Sequence, residues 1–106
     1  MATKKAKTVS LVGSIVLVRD NRAGIHVGRL ESYDLAAKIA TMSGARKVWY
    51  WVGAASCHGI AASGLNHNGS KVGPVVGLVA SCDVVEIVLC SKEGAESVGS
   101  APVWKP

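Results

Sequence analysis

The residues best suited to chemistry lie in one run, Gly44-Ala45-Arg46-Lys47-Val48-Trp49-Tyr50-Trp51-Val52-Gly53. It holds two of the chain's three tryptophans, one of its two tyrosines and two adjacent cations. Read as a strand, the run alternates, so Lys47, Trp49 and Trp51 share one face while Arg46, Val48 and Tyr50 share the other. Either face sets a ring beside a cation. That pairing suits a planar anion such as a nucleotide, because the ring stacks on the base while the cation meets phosphate. Arginine also offers a rigid fork for phosphate. The candidate ligand-binding set is therefore Arg46, Lys47, Trp49, Tyr50 and Trp51, joined by Arg19 and Arg29 from earlier strands, with Arg46 leading because it lies beside the rings. Tyr33 is a further ring within reach of such a site, whereas Arg22 reads as a solvated turn cation. A second reading of the tryptophans stays open. In a chain without phenylalanine, two indoles at i and i+2 are also natural core pieces.

Other chemistry finds little support. Cys57 and His58 are adjacent, and on a helix adjacent side chains point about 100° apart, so the imidazole does not activate that thiol. His26, His58 and His67 with Cys57, Cys82 and Cys90 lack the paired spacing of a zinc site, and no metal or cofactor is expected. The seven acidic residues are scattered, and Asp20, Glu31 and Asp34 fall near turns, where capping accounts for them. Gly24-Ile25-His26-Val27-Gly28 lacks the third glycine and the strand-to-helix context of a dinucleotide loop. The chain reads as a binding protein without catalytic machinery.

The elements that must position these residues are mostly strands. A β-branched run from Ile15 to Arg19 is reversed by Asp20-Asn21-Arg22-Ala23-Gly24 and returns as a strand over Ile25 to Glu31. In that strand Gly28 allows a neighbouring backbone or a ligand to come close. A corner at Ser32-Tyr33-Asp34 leads to a third strand over Leu35 to Met42, and Ser43-Gly44 is expected to turn a hairpin into the aromatic run. The alanine-rich segment Gly53 to Gly64 predicts one short helix, closed by Gly64. Ser70 to Val72 pairs briefly, Val75 to Ala80 is another apolar run, and Val84 to Cys90 is the clearest late strand. Ser91 caps a last helical turn through Glu96. Trp104, so near the end, needs burial against the chain's own core or a neighbouring subunit. The sum is a mainly β (α+β) fold, a small antiparallel β barrel or sandwich with one short inserted helix.

A chain of 106 residues builds one domain with a modest core. It divides into a flexible basic arm over residues 1–12 and a single β-rich domain over 13–106. Hydrophobic residues make up 49% and charged residues only 18%, an apolar balance that favours burial of surface between copies in a homo-oligomer. The formal charge is +5, and Lys4, Lys5 and Lys7 supply part of it in an arm that is either a solvated tail or a contact for nucleic acid. Three cysteines without framework spacing fit a reducing, cytosolic setting. The apolar run from Val9 to Val18 is broken by Ser10, Gly13 and Ser14 and is too short to span a bilayer, so no membrane association is expected.

At Val16-Leu17-Val18-Arg19, Ala23-Gly24-Ile25-His26-Val27-Gly28, Ala45-Arg46-Lys47-Val48-Trp49-Tyr50-Trp51 and Glu86-Ile87-Val88-Leu89-Cys90-Ser91, the chain resembles a family of small, mostly uncharacterised proteins encoded by tailed bacteriophages and prophages. The longer lysine arm and the ending at Pro106 depart from it. The resemblance implies a setting in the infected bacterial cytoplasm and no residue roles. In that setting, a basic aromatic cleft suits an anti-defence sponge that sequesters a nucleotide-type immune messenger, such as a cyclic nucleotide or an ADP-ribose-type ligand. A virion structural or capsid decoration role is the alternative, and nucleic-acid binding through the arm comes third.

Overall fold

The computed structural model describes residues 10–106. Its elements are β1 (Ile15–Asp20), β2 (Gly24–Asp34), β3 (Ile39–Tyr50), α1 (Cys57–Ser63), β4 (Lys71–Val72), β5 (Val76–Ser81), β6 (Val84–Leu89) and α2 (Lys92–Gly99). The strands form one antiparallel sheet in the order β4-β3-β2-β1-β6, with β5 pairing the first half of β3 and β4 its end. The expected mainly β class holds, but the sheet does not close into a barrel. Although Cys82 and Asp83 join β5 directly to β6, those strands pair with β3 and β1 at opposite ends of the sheet.

The alternation of β1 explains why both faces are covered. Leu17 points into one core with Ile25, Val27, Val48, Ile60 and Val98, which the two helices cover. Val16 and Val18 point into a second core with Leu30, Met42 and Val84, formed where the sheet curls on itself. Leu11 packs on this second core and the Gly13 N–H donates to the Leu30 carbonyl at 2.8 Å. Ordered packing thus begins before residue 13, within the expected arm, while Lys4, Lys5 and Lys7 lie outside the described residues.

Three expectations are corrected. No hairpin forms at Ser43-Gly44, because β3 runs through it as a single strand of 12 residues. The reversal comes earlier, over Leu35 to Lys38, where Lys38 takes the left-handed conformation (φ 61°). A second helix, α2, accompanies the inserted one, since the turn capped by Ser91 extends to Gly99. The inserted helix itself starts later than expected, with Ser56 accepting from the Gly59 N–H as its cap, and ends at Gly64 as predicted. There φ is +92°, and a Cβ would come within 2.2 Å of the Ser97 side chain on α2.

What Ser43-Gly44 does instead is bulge. Val27 pairs with Arg46 but Arg29 pairs with Ser43, so Gly44 and Ala45 together face Gly28. An extra residue in one strand reverses which side chains face which side. Ala40, Met42 and Ala45 accordingly lie in the second core, whereas Arg46 and Val48 turn to the helix side. Gly28 permits the bulge, because a Cβ there would approach the Ala45 Cα to 2.7 Å. The close neighbour expected at Gly28 is this backbone.

Two buried titratable groups give the fold a pH profile. Asp20, 5% exposed, joins the β1–β2 turn to the β5–β6 turn by accepting from the N–H groups of Arg22, Ala23 and Asp83. Burial alone would raise its pKa, but these backbone donors outweigh it and hold the carboxyl below 3.8. His26, between Val18 and Lys47 in the sheet, is driven the other way from a charged state. Its pKa falls below 6.5 through burial first and the nearby Lys47 second, and its Nδ1 has no hydrogen-bond partner. A depressed base resists a proton that the unfolded chain accepts, so stability declines as pH drops below 6.5. The Asp20 contribution is intact there and is lost only below 3.8, as pH falls through the folded-state value. Urea unfolding at about pH 7.5 and about pH 5 is expected to show less loss of stability on acidification in His26→Leu than in the parent chain.

Candidate functional site

The expected site residues do not come together as one cluster. Arg46 is 4% exposed, carried to the helix side by the bulge. Its Nε donates to the Gly73 carbonyl at 2.8 Å, and its Nη1 donates to the carbonyls of Val98 at 2.9 Å and Ala101 at 2.7 Å, with Gly99 at 3.3 Å. Last-turn carbonyls of a helix lack intrahelical donors and carry the negative end of the dipole. The guanidinium fits that need, so the leading candidate for phosphate is instead the tie that holds the end of α2 to the sheet. Burial lowers its pKa below the ordinary arginine value.

Arg29 is also removed from the rings and pairs with Glu31 at 3.4 Å. Lys47 is exposed on the opposite side of the sheet from Arg46, beside Gly24. Arg22 is an exposed turn cation paired with Asp83 at 3.5 Å, as its sequence context suggested, and Tyr33 packs against the second core.

The remaining four fall into two sites. Arg19 and Trp51 line a groove of about 440 Å³ with Ser56, Cys57, His58 and Glu86. Here Glu86 bridges the imidazole of His58, with Nε2 at 2.8 Å, and the guanidinium of Arg19, with Nε at 3.3 Å. Its carboxyl titrates below 4.5, chiefly through the His58 hydrogen bond, which outweighs the desolvation that opposes it. The Cys57 thiol, by contrast, is raised above 9.0 by burial, and Cys90 is pushed up to about 11 for the same reason. Neither is a ready thiolate nucleophile. Among the described residues, no three His, Cys, Asp or Glu side chains stand close enough to hold a metal ion.

The second site is the stronger one. Trp49 and Tyr50 end β3, where they are 44% and 53% exposed. Of the two indoles that a phenylalanine-free chain offered as core pieces, Trp51 packs against the first core while Trp49 stays half-exposed, and aliphatic side chains such as Leu17, Leu30, Met42 and Ile60 fill the buried interior. Trp104, 36% exposed, meets Trp49 edge to face with ring centroids 5.5 Å apart. Its backbone N–H donates to the Val72 carbonyl at 2.9 Å, so the tail runs beside β4. The register of β4 sets Lys71 opposite Tyr50. Lys71 Nζ then lies 4.8 Å from the Trp104 ring centroid and 5.7 Å from that of Tyr50. The need to cover Trp104 and the brief pairing at Ser70 to Val72 were both signals of this arrangement, but only the register joins them.

A family model described as a domain of unknown function, DUF6948, matches residues 13–98. The chain belongs to the DUF6948 family. The matched span contains Trp49, Tyr50 and Lys71, and Trp104 lies beyond it. No curated protein and no solved structure matches the chain.

Because Arg46 holds the segment that leads to Trp104, its removal should be felt at both places. Arg46→Ala is expected to cost about 3 kcal/mol, as buried carbonyls lose a charged donor. Arg46→Lys should recover only part, since one ammonium lacks the spread of the guanidinium fork. Urea unfolding measures the first effect. Hydrogen exchange at the Trp104 amide, accelerated in the variant beyond what its global loss of stability accounts for, measures the second.

Proposed function

We propose that this DUF6948 protein is a non-enzymatic binder of a nucleotide-type anion, and that in a phage setting it sequesters an immune messenger in the host cytoplasm. The observation that supports this reading is the exposed group of Trp49, Tyr50 and Trp104 with Lys71 held between two of the rings. An exposed indole offers a face for a base, and the ammonium offers a counter-charge for phosphate a few ångströms away. A nucleotide with more than one phosphate would gain further from the basic balance of the chain, +5 overall.

A structural role in the virion is the second reading. It draws on exposed apolar side chains along β5 and β6, where Leu78 is 68% and Leu89 56% exposed. Sheet edges of that kind favour lateral association.

The deciding experiment is a thermal-shift and calorimetric screen of the full chain against mononucleotides, cyclic di- and trinucleotides, ADP-ribose isomers and short oligonucleotides, at two salt concentrations. One small nucleotide is expected to stabilise the protein with little loss at high salt. Trp49→Ala and Lys71→Ala should each weaken its binding by roughly tenfold, the scale of one lost stacking contact. Unchanged affinity in both variants would overturn the site. Binding confined to oligonucleotides, with a steep salt dependence, would mark the nucleic-acid reading instead. In that case deletion of residues 1–7 should weaken it.

A further inference from the structure

Arg46 leaves part of its donor capacity unused. Nε and Nη1 meet the carbonyls of Gly73, Val98, Gly99 and Ala101, but Nη2, which carries two N–H groups, meets nothing among the described residues. It is not sealed in either. The buried side-chain atoms without a partner among those residues are His26 Nδ1 and Ser81 Oγ, so Nη2 keeps an opening. The space that Arg46 lines is a cavity of about 110 Å³ between α2 and the strands β1 to β3.

The cavity has a polar floor and an apolar mouth. Val27 and Val98 form its floor with Arg46, each no more than 4% exposed, while Ile15 and Val75 stand at the rim, 37% and 63% exposed. No other charged side chain lines it. Arg46 forms no ion pair among the described residues, and its pKa is depressed by burial with no carboxylate acting against that. The carbonyls at Nη1 offset the charge only in part, since a helix end carries about half a unit. A buried cation with a free donor is unfavourable until an anion meets it.

We propose that this cavity binds a small monocarboxylate, with its carboxylate on Arg46 Nη2 and its short apolar chain against Val27, Val98 and the rim. Size and donor count select the class. A cavity of about 150 Å³ admits benzene, so this one holds roughly four or five non-hydrogen atoms, the size of acetate or propionate. The two N–H groups of one nitrogen match one carboxylate. A phosphate dianion brings more acceptor sites than they supply, and the remainder would face aliphatic walls. This site is separate from the aromatic cluster and does not depend on nucleotide binding.

The test is an NMR titration of the full chain at constant ionic strength, with acetate, propionate and butyrate set against propionamide, chloride and inorganic phosphate. The monocarboxylates should give saturable shifts of the Arg46 guanidinium signals and of the Ala95 and Gly99 amides, two residues of the cavity wall. Propionamide, which has the shape without the charge, and chloride should not. Removing Arg46 would also release α2, so the cavity is altered at its lining instead. Ala95→Leu fills the space, and Val75→Asp sets a carboxylate at an exposed rim position. Each should weaken binding by about tenfold or more with the circular dichroism spectrum unchanged. The absence of a saturable shift with any monocarboxylate overturns the proposal. So does an equal response to chloride or propionamide, tighter binding of phosphate, or an affinity that survives both variants.

Discussion

One buried cation governs the layout of this protein. The Arg46 guanidinium reaches carbonyls from the loop after β4, from the end of α2 and from the segment that follows it. An arginine taken out of water is unfavourable unless nearly every donor finds a partner. Helix-end carbonyls are suitable partners, because they need donors and already carry partial negative charge. The consequence is mutual: the sheet gains a helix fixed across its face, and the helix end, which Ser100 already caps, gains a charged donor that its own last turn does not supply.

That arrangement rests on a smaller constraint upstream. Met42 lies in the second core and, without an added residue, strict alternation would have sent residue 46 to the same side. The bulge at Gly44-Ala45 reverses the sense, and Gly28 opposite leaves room for it. A side chain at position 28 would therefore disturb more than one packing contact. It would press on the feature that decides which face Arg46 and Val48 join, and through Arg46 where the tail lies.

Local patterns carried the hairpin of β1 and β2, the late strand β6 and the stop of α1 at Gly64, because turn residues and alternation act over a few positions. They failed at Ser43-Gly44, where turn-favouring residues mark a bulge within one strand. The same composition serves both, and only the partner strand distinguishes them. Arg46 was misplaced for a related reason. A cation beside aromatic rings reads as a ligand group, while the carbonyls that claim it lie 27 and 52 to 55 residues away, a separation no spacing rule covers. Lys71 went unremarked because a strand of two residues has no periodicity. Its importance comes from standing opposite Tyr50.

The outcome is an inversion of the usual distribution of side chains. A guanidinium sits inside while Trp49, Tyr50 and Trp104 remain about half exposed, although aromatic side chains have the most apolar surface to bury. Of the three indoles only Trp51 packs against the aliphatic core. What the exposed rings gain within the chain is modest: an edge-to-face pair and two cation contacts, each worth about 1 kcal/mol at the surface. That is less than full burial of one such ring returns. On the proposed reading, a ligand that covers the exposed half of these rings would recover the remaining burial at the moment of binding, and the lysine held against two of the rings would give that ligand its sign.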